Sequence, residues 1–120
     1  MISHWVVRIT GVILLILGLL FWTGDALSLV PVHELLGTLL VLALWLLAIS
    51  AAQQGVPPGL TITAGVIGLL VAIVGFTQTS VLPGGTHWIV QVIHLILGGA
   101  AVSIGEMIGG RVRRMRLATA

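Results

Sequence analysis

The sequence contains no cysteine, and only 7% of its 120 residues are charged, against about 25% in an ordinary soluble domain. Without cysteine there is no disulfide, thiolate metal site, iron–sulfur cluster or covalent c-type haem attachment. So few charges cannot cover the surface of a water-soluble fold. Because 58% of the residues are hydrophobic, the composition indicates an integral membrane protein, short enough to form one domain over residues 1–120.

Basic residues are missing from almost the whole chain and occur only near its two ends. The N-terminal one is Arg8, and the others are Arg111, Arg113, Arg114 and Arg116. Because basic residues flank spans on the cytoplasmic side, we expect both termini in the cytoplasm and an even number of spans. The basic tail then lies against anionic lipid and does not bind nucleic acid. The expected location is a prokaryotic plasma (inner) membrane.

Four long apolar runs occupy most of the chain, at about residues 9–24, 29–52, 60–80 and 87–108. Each is close to the roughly 20 residues that a helix needs to cross the hydrocarbon core. The segments between them are short and contain glycine, proline or aspartate, which favour turns. Short connections make neighbouring helices antiparallel. The sequence therefore predicts an all-α, four-helix transmembrane bundle that runs up-down-up-down.

The two halves of the chain resemble each other. The first and third runs each carry two glycines seven residues apart, and the second and fourth each carry a histidine followed four residues later by glycine. These pairs are Gly11 with Gly18, Gly68 with Gly75, His33 with Gly37, and His94 with Gly98. The pattern predicts two tandem helical-hairpin repeats, related by a pseudo-twofold axis along the membrane normal.

Two of the four histidines lie within the apolar runs and are equivalent under this repeat. Ionisable residues inside spans are rare and usually functional, so His33 and His94 are the candidate ligands. Helices two and four are diagonal in such a bundle, roughly 12–14 Å apart if neighbouring axes are 8–10 Å apart. That distance suits a metal–macrocycle between two imidazoles better than one bare zinc ion. Neutral imidazole is a common axial ligand of haem iron.

Small residues lie beside both histidines. Gly37 and Gly98 share a helix face with His33 and His94 respectively, and there they leave space for the edge of a flat ring. Gly18 and Gly75 are placed to leave similar space on the first and third spans. Close helix packing is the other use of such glycines in a membrane.

With these motifs the chain resembles the four-helix membrane cytochromes b. The resemblance covers the whole chain in architecture, but in motif it covers only His33 with Gly37 and His94 with Gly98. It implies one haem b near the outer face, bound by both histidines and used for electron transfer rather than for catalysis. Quinone, or another redox protein, would be the partner, and a homo-oligomer or larger complex is compatible with the sequence.

The remaining polar residues are expected to have simpler roles. His4 and His87 are on opposite sides of the membrane and are not expected to bind a cofactor. Glu106 is expected to pair with Arg111 or Arg113. Glu34 is expected to be a solvated carboxylate near a helix start. Gln78 and Gln91 are near the outer side and are placed to contact a cofactor or quinone. The tryptophans mostly fall near span ends and are expected to mark the membrane interfaces: Trp5, Trp22, Trp45 and Trp88.

Two other functions remain open from the sequence. Four short spans also describe small multidrug exporters and fluoride channels, but the first span has no glutamate for the former, and the polar signature of the latter is missing. The second alternative is a pigment-binding or structural subunit of a larger membrane complex. Pigment binding is open because histidine also ligates the magnesium of chlorophyll.

Overall fold

The computed structural model describes residues 2–120, and this part of the chain contains only helices and turns. The four long helices are α1 (Ile2–Trp22), α2 (Val30–Gln53), α3 (Pro58–Thr77) and α4 (His87–Ala118). Short 3-10 turns lie at Leu27–Leu29, Gln78–Ser80 and Gly84–Thr86. All four helices are long and apolar enough to cross a membrane, which confirms the all-helical class and the four candidate spans.

Proline and glycine mark the ends of the helices as their chemistry requires. Pro31 and Pro58 lie in the opening turns of α2 and α3, where the N–H that proline lacks would have no partner in the helix. Gly24 and Gly55 follow α1 and α2 with φ angles of 86° and 85°, a left-handed conformation that costs glycine little. The helices are therefore joined by tight turns.

Two helices are longer than the apolar runs that predicted them. α1 begins at Ile2 and α4 continues to Ala118, whereas the hydrophobic pattern begins at residue 9 and ends at residue 108. The limits of an apolar run show where hydrocarbon contact ends. A helix satisfies its own backbone hydrogen bonds and continues into the headgroup region, and the arginines after residue 110 are good helix formers.

Each helix packs against the next one in the chain, and α4 also packs against α1 and α2. α1 and α4 are antiparallel, since a Cβ built on Gly11 would meet Val102 while one on Gly105 would meet Val7. Gln54 contacts Arg116, so the turn after α2 lies beside the end of α4. We call this side of the molecule, with both termini, the terminal end, and the opposite side the histidine end.

The buried core lies mainly in the half of the molecule next to the terminal end. Leu44, Ile108, Val7 and Val112 are the largest fully buried side chains. The main cluster of buried residues includes seven positions between Leu40 and Ala51 but no residue between Val71 and Ala101. Large aliphatic side chains on the outside of all four helices are exposed, which suits contact with lipid. This main cluster therefore does not reach the histidine end, where Val90 is buried separately from it.

Candidate functional site

His33 and His94 meet at the histidine end, where α2 packs against α4. His33 lies in the opening turns of α2, and His94 lies seven residues into α4. Their ring centroids are 6.2 Å apart, and the ring planes are inclined by 53°. The structure thus brings together the two histidines that the sequence selected, although they are 61 positions apart in the chain.

Each of these histidines has a glycine of the preceding helix against its ring. A Cβ built on Gly18 of α1 would lie 3.7 Å from Cε1 of His33, and one built on Gly75 of α3 would lie 3.2 Å from Cε1 of His94. In both cases the nearest atom is Cε1 of the imidazole, and Gly75 lies closer to its histidine than Gly18 does. These glycines therefore leave room for the imidazole rings themselves.

The two imidazoles also share an unusual polar feature. Nδ1 of His33 and Nδ1 of His94 are both buried, and neither has a hydrogen-bond partner among the described residues. Leaving a buried polar atom unpaired costs about 1–3 kcal/mol. Nε2 of His4 is buried without a hydrogen bond as well, so it is the short distance between the rings of His33 and His94 that distinguishes this pair.

The other predicted glycines differ from Gly18 and Gly75 in their surroundings. A Cβ built on Gly37 or Gly98 would meet nothing within 4 Å. Space is therefore open beside both helices one turn below the histidines. Phe21 of α1 adds an aromatic contact, with its ring centroid 5.3 Å from that of His33 in an edge-on arrangement.

The remaining histidines lie away from this pair. Nδ1 of His87 is 3.3 Å from the carbonyl oxygen of Val81, in the turn before α4. His4 lies at the terminal end, where Nε2 is 3.3 Å from Oε2 of Glu106. Within residues 2–120 there is no group of three or more histidine, cysteine or acidic side chains that would hold a metal ion by itself. Any ion bound at the histidine end needs ligands in addition to the two imidazoles.

The pairing expected for Glu106 is wrong, because its partner is on another helix. Arg8 of α1 donates from Nε to Oε1 of Glu106 at 2.8 Å and from its terminal nitrogen to Oε2 at 2.5 Å. Arg111 and Arg113 were favoured because they are close in sequence. The antiparallel contact of α1 with α4 brings Arg8 nearer although it is 98 positions away.

Trp45 also differs from expectation, since it lies in the middle of α2 and not at a membrane interface. Its Nε1 donates a hydrogen bond to the carbonyl oxygen of Gly65 in α3 at 3.2 Å. The indole fits because Gly68 has no side chain: a Cβ there would lie 2.5 Å from Nε1. The glycine spacing of the third span was the available signal for this close contact.

No protein-family model, curated protein or solved structure matches this chain.

Proposed function

We propose that the protein is a membrane-bound electron carrier that holds one haem b between His33 and His94. The observation that carries the proposal is the meeting of these two imidazoles at a centroid distance of 6.2 Å. Because a metal–imidazole bond is about 2 Å long and a ring nitrogen lies roughly 1 Å from its ring centre, two imidazoles on opposite sides of one metal ion have centroids roughly 6 Å apart. The separation therefore suits axial ligands.

The surroundings of the pair fit a flat macrocycle. The imidazole rings already fill the space beside Gly18 and Gly75. A macrocycle held by His33 and His94 would instead find open space beside Gly37 and Gly98, where a Cβ would meet nothing within 4 Å. The dense core ends before this level of the bundle. The four equatorial nitrogens of a porphyrin would also complete a ligand set for which the chain supplies only two donors.

We also propose that the site arose in a four-helix up-down-up-down bundle built from two copies of a helical hairpin. Gly18 and Gly75 are 57 positions apart, and His33 and His94 are 61 positions apart. Each glycine contacts the histidine of its own half through Cε1. Leu44 and Gly105, which are also 61 positions apart, contact each other where α2 meets α4. A pseudo-twofold axis between α2 and α4 would bring equivalent residues of the two helices together in this way.

When bound, haem supplies a one-electron iron couple. His33 and His94 would hold it, and binding by both imidazoles would favour electron transfer over reaction with a substrate. The proposed electron partner is a quinone or another redox protein, in a prokaryotic plasma membrane with both termini cytoplasmic. Gln91 is half-buried one turn before His94 and is placed to contact such a partner or the cofactor.

The test is the visible spectrum of the purified protein, expressed with ample haem. We expect a reduced-minus-oxidised difference spectrum of low-spin, bis-imidazole iron. His33→Ala and His94→Ala should each abolish it. His33→Met supplies a different axial ligand and should give a changed spectrum and a raised potential, because methionine–histidine ligation raises the potential of haem.

His4→Ala and His87→Ala are the matched controls, and both should keep the wild-type spectrum. Size-exclusion chromatography reports whether each variant remains folded. A colourless wild-type protein, or an unchanged spectrum in both His33→Ala and His94→Ala, contradicts the haem proposal. A chlorin spectrum in place of a haem spectrum would instead show a pigment-binding protein that uses the same histidines.

A further inference from the structure

A charged groove lies at the terminal end, between the beginning of α1 and the last turns of α4. It has a volume of about 390 Å³, within the range of roughly 300–1,000 Å³ that is typical of ligand sites. Its polar and aromatic lining comes from six side chains: His4, Trp5, Arg8, Glu106, Arg113 and Arg116. Gly109 and Gly110 complete the lining, and Gly109 is buried beneath the ring of His4.

The charge of this groove favours an anion. Three arginines and one glutamate give it a formal charge of +2 with neutral histidine. Arg8 is already bound through two nitrogens to Glu106. Arg113 makes no side-chain hydrogen bond or ion pair within the described part of the chain, and Arg116 makes only a long one, 3.4 Å, to Gln54. Two guanidinium groups therefore have donors free for a ligand.

The charged contact beside this groove has an uncharged counterpart under the proposed repeat. Arg8 and Glu106 correspond to Gly65 and Trp45 under the offsets of 57 and 61 residues. There the equivalent contact is the uncharged hydrogen bond from Trp45 to Gly65. Arg8, His4 and Glu106 therefore form a charged contact between α1 and α4. The corresponding contact between α2 and α3 is uncharged.

The position of the groove indicates where its ligand comes from. It lies where α4 leaves its apolar segment and where the exposed Trp5 stacks against Arg8, with the guanidinium carbon 4.9 Å from the ring centroid. Exposed tryptophan and arginine at the end of a span mark the level of lipid headgroups. Phosphate is the anion present at that level, and arginine binds it through two parallel hydrogen bonds.

We propose that this groove binds the headgroup of an anionic phospholipid with two phosphates, one at Arg113 and the other at Arg116. The charge of +2 matches two phosphodiester charges, and Arg8 is held beside them by Glu106. Basic pockets between spans are known to accept such headgroups. This inference is independent of haem binding, because the groove and His94 are separated along α4 by twelve residues, or about 18 Å.

The experiment measures lipid binding to the full chain in neutral detergent by native mass spectrometry. The probes are cardiolipin, phosphatidylglycerol, phosphatidylcholine and soluble glycerol phosphate. We expect cardiolipin to bind at least tenfold more tightly than phosphatidylglycerol, and the other two not to bind. Equal affinity for the two anionic lipids would overturn the two-phosphate site, and competition by glycerol phosphate would show a site for free phosphate.

The chain offers a control with the same loss of charge on the same helix. Arg111 and Arg114 line a neighbouring groove, which shares Glu106 and Gly110 with this one but lies beside Leu60 of α3. The double variant R113Q/R116Q should lose cardiolipin affinity by at least tenfold, while R111Q/R114Q should change it by less than twofold. Equal losses in the two double variants would overturn the proposal, since they would show that the overall charge of α4, and not this groove, attracts the lipid.

Discussion

Gly75 limits the space around His94 more strictly than Gly18 limits the space around His33. A Cβ at Gly75 would lie 3.2 Å from Cε1 of the imidazole, against 3.7 Å at Gly18. The shorter distance is tighter than an ordinary van der Waals contact, so the ring of His94 must move to accept a methyl group. The orientation of this ring is therefore set from α3.

If His94 binds the proposed haem, Gly75→Ala should weaken cofactor retention and shift the low-spin spectrum, because the new methyl group displaces the His94 ring. Gly18→Ala should have a smaller effect. The measurement is the ratio of haem to protein after purification, with the position of the reduced absorption bands. Gly99→Ala is the control, since its Cβ would meet nothing within 4 Å. An unchanged spectrum and full retention in Gly75→Ala would show that the contact does not position the ligand.

The role of a residue could be predicted from the sequence when its signal was local. It could not be predicted when its partner was distant along the chain. His33 and His94 were predictable because a polar residue within an apolar run is itself a signal, and because each is followed four residues later by glycine. The partner of Glu106 was not predictable in the same way. The chain brings Arg8 to it from 98 positions away, and no local pattern distinguishes that pairing from one with the arginines of α4.

At the scale of helices, the contact between α1 and α4 depends on complementary small and large residues. Gly11 faces Val102, and a Cβ there would lie 2.5 Å from Cγ2 of the valine. Gly105 receives Val7 in the same way, at 2.7 Å from Cγ1. Such pairs let two helices approach closely in lipid, where van der Waals packing contributes much of the association energy.

Gly11→Ala is therefore expected to destabilise the protein by about 1–3 kcal/mol, the usual cost of overpacking. Val102→Ala should restore part of this loss when the two changes are combined, because it removes the methyl groups that the new side chain meets. Unfolding of the purified variants in increasing amounts of a denaturing detergent measures both effects. Additive losses in the double variant would show that the two positions are not in contact.

The number and type of helices could be predicted from the sequence, but not all of their limits. The apolar runs gave four helices, and Pro31, Pro58 and the glycine turns placed the connections. Hydropathy failed at Ile2 and Ala118, since it reports contact with hydrocarbon and not helical conformation. Hydropathy also gave no sign that Trp45 would bond to α3. Its partner is the carbonyl oxygen of Gly65, and the position of a tryptophan within an apolar run does not reveal such a partner.

At the scale of the whole molecule, the terminal end and the histidine end are expected on opposite sides of the membrane. The chain has no cysteine, so a single introduced thiol reports its own side without background. Gln53 and Thr79 are exposed and lie at the two ends. Gln53→Cys should react with an impermeant maleimide only from the cytoplasmic side, and Thr79→Cys only from the outer side. Labelling of both from one side would contradict a four-span arrangement.

The depth of His94 determines how a bound iron would respond to an electric field. His94 follows the first residue of α4 by seven positions, or roughly 10 Å along the helix, which is about one third of a 30 Å hydrocarbon core. An electron that reached the proposed haem from the nearer membrane surface would cross about one third of the transmembrane potential, or roughly 0.8 kcal/mol per 100 mV. The reduction potential of the proposed haem would therefore shift with the transmembrane potential.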